Sequence, residues 1–444
     1  MNTPAVPDKS RRRPLTIRAL VRSSKAEQSA GRALALCDAL LSEQGEVSGR
    51  RLAAYALSAY QSLDDAGRDI FFDRLVADFG PDAAEVDRAA ARYRADASSA
   101  NLVRLQAAVE PPRQELFRRA NMAPAGTAIL LEMRREMLKT LGTHPERVGI
   151  DADLLHLFRS WFNRGFLVLQ RIDWHTPAVV LERLIQKEAV HEIQGWRDLR
   201  RRLEADRRCY GFFHPALPDE PLIFIEVALT RGMPAAVQLL LDQQSPITDP
   251  EQADHAVFYS ITNCEEGLRG VWFGNFLIKQ VAEDLSREFP NLRTFATLSP
   301  VPGFRAWLAS GDGERSSALQ RLLAAPADPG VTVPAALQDE LTLLCAHYLI
   351  NVKRRDHAPL DSVARFHLAN GASLQQINWM GDSSPAGIRR SFGLTANYGY
   401  RLDELEQNHE AYAREFRVVA APALARMAAR GERTAQKGRP VLQR

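Results

Sequence analysis

Cysteine is scarce in this chain, and the few residues lie far apart. The four of them, Cys37, Cys209, Cys264 and Cys345, form no CxxC pair and join no Cys/His cluster. That spacing argues against a zinc site and against a disulfide framework, and the thiols read as reduced side chains of a cytosolic-type protein. No metal is expected. No apolar run approaches the ~20 residues of a membrane span, and the basic, Ser-containing start lacks the hydrophobic stretch of a secretory signal. A large charge of one sign is also missing. Lys and Arg number 57 against 54 Asp and Glu, and the basic runs at 11–13, 200–202 and 353–355 are scattered. Nucleic-acid binders concentrate such residues in a patch or stripe, so neither nucleic acid nor a membrane is an expected partner. There is no GxSxG elbow of a serine hydrolase, no Walker A motif and no GxGxxG. No internal repeat is visible.

What is present is the texture of a soluble globular protein, 45% hydrophobic and 25% charged, in a chain long enough for two or three domains. Residues 1–28 are polar and basic and read as flexible. From 29 to 160 the pattern is helical. Leu34, Cys37, Leu40 and Leu41 fall on one face, as do Ile70, Phe71, Leu75 and Phe79 farther on, and Pro81, Pro111, Pro112 and Pro124 punctuate the segments. The expectation is an all-α, bundle-like domain without clustered chemistry. Its apolar faces suit symmetric self-association, so a homo-oligomer, dimer or tetramer, is expected. After Trp161 the texture changes. Thr176 and Pro177 make an N-cap and first helical residue for a helix to about 190. Strand-like apolar runs follow at 209–213, 222–229, 256–262 and 292–298, with an amphipathic helix at 274–289. Strands mixed with helices predict an α/β or α+β domain over 161–425. Residues 324–334 read as a surface loop. Residues 426–444 read as a flexible tail without a peroxisomal ending. The Ala- and Arg-heavy composition suits a bacterial cytoplasm.

Three stretches carry chemistry. In TLSPVPGFRAWL, from Thr297, Ser299 closes an apolar run just before a proline. A residue before proline is pushed into extended backbone, and each proline fixes its own φ. A reacting hydroxyl benefits from being held this way, although a plain proline-rich turn has the same pattern. In ARFHLANGA, from Ala364, His367 stands between apolar neighbours just before an Asn-Gly turn signal. Histidine is the side chain best placed to move protons near neutral pH, although a core histidine reads the same way. In CEEGLRGVWFGNFLIKQV, from Cys264, Gly267, Gly270 and Gly274 lie between a strand and a helix. Glycines permit close backbone approach, free N–H groups at a helix start favour phosphate, and Arg269 or Lys279 supplies charge. A plain strand–loop–helix connection fits that spacing too.

Taken in order, SPVPGF, FHLANGA, NWMGD and SFGLTANYGY resemble the malonyl-CoA decarboxylase family, whose pattern reads roughly LSPIPGF, FHLQNGA, NWMAD and GLMxNYRY. The stretches HPALPDEPLIFIEVALT, from His214, and FYSITNCEEGLRGVWFGNFLIKQV, from Phe258, are similar to that family as well. The resemblance runs from about residue 161 to 400. It implies a GNAT-like acetyltransferase fold for the second domain and a lyase of fatty acid metabolism. Such an enzyme takes malonyl-CoA to acetyl-CoA and CO2 without any cofactor, the coenzyme A thioester being the substrate. It implies that Ser299 and His367 are catalytic and contact substrate, with Tyr400 and Ser260 as further candidates. It places the coenzyme A pyrophosphate against the backbone of Arg269, Gly270, Val271, Trp272, Phe273, Gly274 and Asn275. Two departures stand out: Trp272 replaces the acidic residue of the family's GVELG, and Gly399 replaces the Arg of NYRY. An N-acyltransferase on the same fold and a catalytically weak coenzyme A binder remain alternatives.

Overall fold

The computed structural model describes residues 17–271, 277–311, 316–325 and 333–436. The chain divides into two compact units, Met1–Asn163 with Glu265–Trp272, and Arg164–Cys264 with Phe273–Arg444.

The first unit is helical, as expected. Its helices run Ile17–Ser42, Glu46–Gln61, Asp65–Asp78, Ala83–Ala95, Ser99–Val109, Pro112–Ala120, Gly126–Thr140 and Val148–Trp161. Their starts carry the signals that helix ends require. Asp64, Asp82 and Ser98 accept backbone N–H groups of the first turn, and Pro112 occupies a first position where no N–H is needed. Leu34, Cys37, Leu40, Phe71, Leu75 and Phe79 are buried together with Leu130, Ile150 and Leu154. The first helix reaches back to Ile17, which overturns the flexible reading of residues 17–28. Ala26, Ala30 and Ala33 are buried there, and alanine is the strongest helix former.

A contiguous second domain over 161–425 also needs correction, because the chain returns to the helical unit at Glu265. A short 3₁₀ turn, Glu266–Leu268, packs on the helix Gly126–Thr140. Arg134 donates to the Gly267 carbonyl at 2.6 Å, and Leu268 is fully buried. A Cβ on Gly267 would lie 2.5 Å from the Leu131 carbonyl oxygen. Gly267→Val is therefore expected to cost roughly 1–3 kcal/mol, the usual penalty of forcing atoms into a packed site. Urea unfolding of the variant measures it, and an unchanged midpoint would show that the close approach is not needed.

The second unit is the α+β part. Its strands are β1 (Val168–Ile172), β2 (Arg207–Phe213), β3 (Ile223–Thr230), β4 (His255–Asn263), β5 (Thr294–Thr297), β6 (Ser299–Pro300), β7 (Ser373–Asn378) and β8 (Thr395–Gly399). The sheet order is β1-β2-β3-β4-β5-β8-β6, with β7 also paired to β8. Neighbours are antiparallel except β4 and β5. A parallel pair needs a crossover, and the helix Leu277–Glu288 supplies it, burying Ile278, Val281, Ala282 and Leu285. Another part of the sheet is covered by the helices Ala178–Lys187 and Trp196–Arg202, whose Leu181, Leu184 and Leu199 pack with Cys209, Phe224 and Cys264. All four cysteines are buried. The tail reading at 426–444 fails through Gln436. A helix, Pro422–Gln436, packs along the helix Ala335–Asn351 and buries Leu424 and Ala428. Those two small anchors, one turn apart, are diluted among charged residues in the sequence. No helix among the described residues is long and apolar enough to cross a membrane.

Candidate active site

Strands β5, β6 and β8 and one helix converge on a single imidazole. β5 stays paired to β4 up to Phe258 and Thr297, and the Leu298 N–H still reaches the Phe258 carbonyl at 3.0 Å. At Ser299 the chain pairs instead with Ala396 of β8. β6 lasts only two residues, because Pro300 has no N–H to continue a ladder. The Ser299 hydroxyl thus sits at an interruption in the strand. His367 comes from the last turn of the helix Ser362–Ala369, which the Asp361 carboxylate caps by accepting the N–H groups of Val363 and Ala364. The Asn-Gly turn that follows is real: Gly371 has φ +82°, and a Cβ there would lie 2.2 Å from the Leu405 carbonyl.

His367 Nε2 lies 2.9 Å from Ser299 Oγ, and Nδ1 lies 2.7 Å from the Tyr400 hydroxyl. The ring stacks on Tyr398, with centroids 4.6 Å apart and planes at 24°. Tyr398 on β8 and Tyr400 just past its end are two residues apart, the spacing that puts side chains on one face of an extended chain. Ser299 Oγ donates to Thr297 Oγ1 at 2.8 Å. The group is nearly dry, with His367 3% and Ser299 6% exposed.

Burial dictates the protonation states. It pulls the His367 pKa from the ordinary 6.5 down to about 3, and pushes the phenols of Tyr398 and Tyr400 well above their usual range. At neutral pH the site therefore holds a neutral imidazole, with one N–H and one bare nitrogen, and a protonated phenol. This has a consequence for stability. Below about pH 6.5 the unfolded chain takes up a proton at this histidine that the folded chain refuses, so stability falls as pH drops through 6.5 toward 3. The full effect of that shift is on the order of 5 kcal/mol. Urea midpoints measured against pH should show the slope, and His367→Asn should flatten it. An equal slope in the variant would place the titration elsewhere.

The family model described as malonyl-CoA decarboxylase C-terminal domain matches residues 165–438, and the one described as malonyl-CoA decarboxylase N-terminal domain matches 79–162. This chain belongs to the malonyl-CoA decarboxylase family. It is similar to the mitochondrial malonyl-CoA decarboxylase of Mus musculus, 35% identical over 80% of this chain and 81% of that protein. Among solved structures it is similar to malonyl-CoA decarboxylase from Rhodopseudomonas palustris, 48% identical with a TM-score of 0.85 over 89% of this chain and 99% of that one. The malonyl-CoA decarboxylase from Agrobacterium vitis is 47% identical with a TM-score of 0.82, over 88% and 98% of the two chains. The chain is thus an enzyme, a carboxy-lyase.

Of the enzyme's anticipated residues, Ser299, His367 and Tyr400 are brought together. Ser260 is not joined to them by any hydrogen bond described. Its hydroxyl donates to Glu188 at 2.8 Å, and Thr262 donates to the same carboxylate at 3.0 Å. Glu188 also accepts the N–H groups of Val190 and His191. A hydroxyl on a buried strand must find a partner, and Ser260 finds one there, opposite Glu226 on the neighbouring β3. Arg269 and Val271 lie in the turn on the helical unit. Their N–H groups are spent within it, on the carbonyls of Glu266 at 3.0 Å and Leu268 at 2.8 Å, and so are not offered to a phosphate. Gly270 takes the positive φ, +85°, that glycine permits. Trp272, Phe273, Gly274 and Asn275 lie outside the described residues. Sequence reasoning missed Thr297 and the paired amides of Asn378 and Asn397. Asn397 Nδ2 donates to the Thr297 carbonyl at 2.6 Å, and Asn378 Nδ2 to Asn397 Oδ1 at 2.7 Å. The signal available was Thr297 two residues before Ser299, the spacing of one strand face.

Proposed function

We propose that this chain decarboxylates malonyl-CoA to acetyl-CoA through a thioester enolate, without a metal or organic cofactor. The observation that carries the reading is the unbroken hydrogen-bonded run from Tyr400 through His367 to Ser299. The thioester carbonyl is itself the electron sink. The C–C bond to the carboxylate breaks, its electron pair enters the enolate, CO2 leaves, and the α-carbon takes a proton. Two demands follow: donors fixed in advance for the developing negative charge, and a proton delivered to carbon. Ser299, on a backbone held by β8 and two prolines, is the hydroxyl that meets the substrate. His367 acts as a neutral conduit, since burial keeps it from being a charged acid near neutral pH. Whatever proton leaves one ring nitrogen is replaced at the other. The pyrophosphate of coenzyme A is expected near the start of the helix Leu277–Glu288, since N–H groups at a helix start favour an anion.

Purified protein given malonyl-CoA and no acceptor should form acetyl-CoA and CO2. Acyl transfer only when an amine is added would instead support an N-acyltransferase, and binding without turnover would support a regulatory coenzyme A binder.

A further inference from the structure

We infer that Thr297, which takes no direct part in bond making, sets the direction of the proton run and with it the tautomer of His367. Thr297 is fully buried. Its Oγ1 accepts the backbone N–H of Tyr398 at 3.1 Å. A backbone N–H can only donate, so one lone pair of this hydroxyl is permanently committed. The Ser299 hydroxyl donates to the same oxygen at 2.8 Å. The Thr297 carbonyl is meanwhile tied to the Asn397 amide at 2.6 Å. Both polar handles of Thr297 are thus clamped by β8, and its hydroxyl cannot swing away.

The rest follows by donor and acceptor counting. With its hydrogen turned toward Thr297, Ser299 presents lone pairs to His367 Nε2, 2.9 Å away. Nε2 must then carry the ring hydrogen. A neutral imidazole has only one, so Nδ1 is bare. It faces the Tyr400 hydroxyl at 2.7 Å. That hydroxyl is the most acidic of the three by nature, and so the natural donor to a ring nitrogen. All donors point the same way: Tyr400 O–H to Nδ1, Nε2–H to Ser299, and Ser299 O–H to Thr297. Read on the decarboxylation proposed above, this orientation names the proton source. The enolate carbon takes the Ser299 proton, Nε2 returns one to Ser299, and Nδ1 takes the Tyr400 proton. Water re-protonates the phenolate, and after product leaves, exchange with water through the two hydroxyls removes the proton at Nδ1 and supplies one at Nε2, restoring the tautomer that Thr297 favours. Thr297 is a positioning residue that keeps the chain loaded in that sense between turnovers.

Nitrogen NMR of the full chain with isotopically labelled histidine, with the His367 signals identified by their loss in His367→Asn, tests this without substrate. The hydrogen should be bonded to Nε2 in the wild type and in Thr297→Ser, which keeps the hydroxyl. Thr297→Val, which removes it, should shift the hydrogen to Nδ1. Thr297→Val should also lower kcat for malonyl-CoA by about 10²-fold, the scale of a lost proton-transfer role, with KM little changed, and Thr297→Ser should restore most of it. A wild-type hydrogen on Nδ1 would overturn the inference, and so would an unaltered tautomer in Thr297→Val. If the valine variant does not fold, the wild-type and serine spectra decide alone. Because the tautomer is read in the free protein, absence of malonyl-CoA turnover would refute the proposed function while leaving this result standing. Turnover accompanied by the opposite tautomer would refute this inference alone.

Discussion

His367→Asn is expected to leave malonyl-CoA binding in place and to cut turnover by roughly 10²-fold or more, the scale of a lost proton-transfer group. The imidazole joins both hydroxyls of the site, at 2.9 Å and 2.7 Å, so its removal severs Tyr400 from Ser299. Ser299→Ala should fall comparably, because it deletes the hydroxyl at the substrate end. Residues that act as one unit are strongly non-additive. The double variant should therefore be little slower than the worse of the two singles. Losses that multiply would mean separate roles, and wild-type turnover in His367→Asn would sink the mechanism. Steady-state kinetics on the three variants, with binding measured independently, settles the matter.

The largest effect on stability is expected at Arg202. Its guanidinium bonds Asp198 at 3.0 Å, Glu226 at 2.9 Å and the His191 carbonyl at 2.8 Å, all buried. Glu226 is fully enclosed, and burial pushes its carboxyl up to about 8 despite the guanidinium beside it. Arg202→Leu leaves the buried Asp198 carboxylate without its counter-charge and the Glu226 carboxyl without its donor, and breaking such a pair typically costs about 3–5 kcal/mol. Glu226→Gln in the same background should recover part of the loss, since it removes one of the stranded acids. Guanidinium unfolding at neutral pH checks both variants. A single variant within 1 kcal/mol of wild type, about the worth of an exposed pair, would show that the cluster is open to water.

The sequence was legible where local physics decides the outcome. The prolines after Ser299 end β6 as their missing N–H groups require, and the Asn-Gly pair after His367 turns the chain at Gly371. Apolar runs became β2, β3 and β4, and the helical periodicity before residue 160 became helices. What stayed hidden depends on partners distant along the chain. β8 carries no strand signal of its own, since TANYG shows no apolar run, yet it organises the site by pairing with β5, β6 and β7 at once. Ser260 looked like a site residue because nothing local shows that Glu188, on a helix-ending turn, takes its hydroxyl. Beyond its spacing from Ser299, Thr297 carries no local sign of its role for the same reason: its hydroxyl is fixed by the Tyr398 N–H, about a hundred residues downstream.

The turn at Glu265–Val271 has a consequence for taking this protein apart. It is encoded between β4 and the crossover helix of the sheet, yet it completes the helical unit by burying Leu268 and fitting Gly267 under the Leu131 carbonyl. No single cut in the gene separates the two units. A fragment beginning at 164 would carry an orphaned plug, and one ending at 163 would carry the matching hole. During synthesis the helices would emerge and wait for about a hundred residues before the piece that seals them arrives.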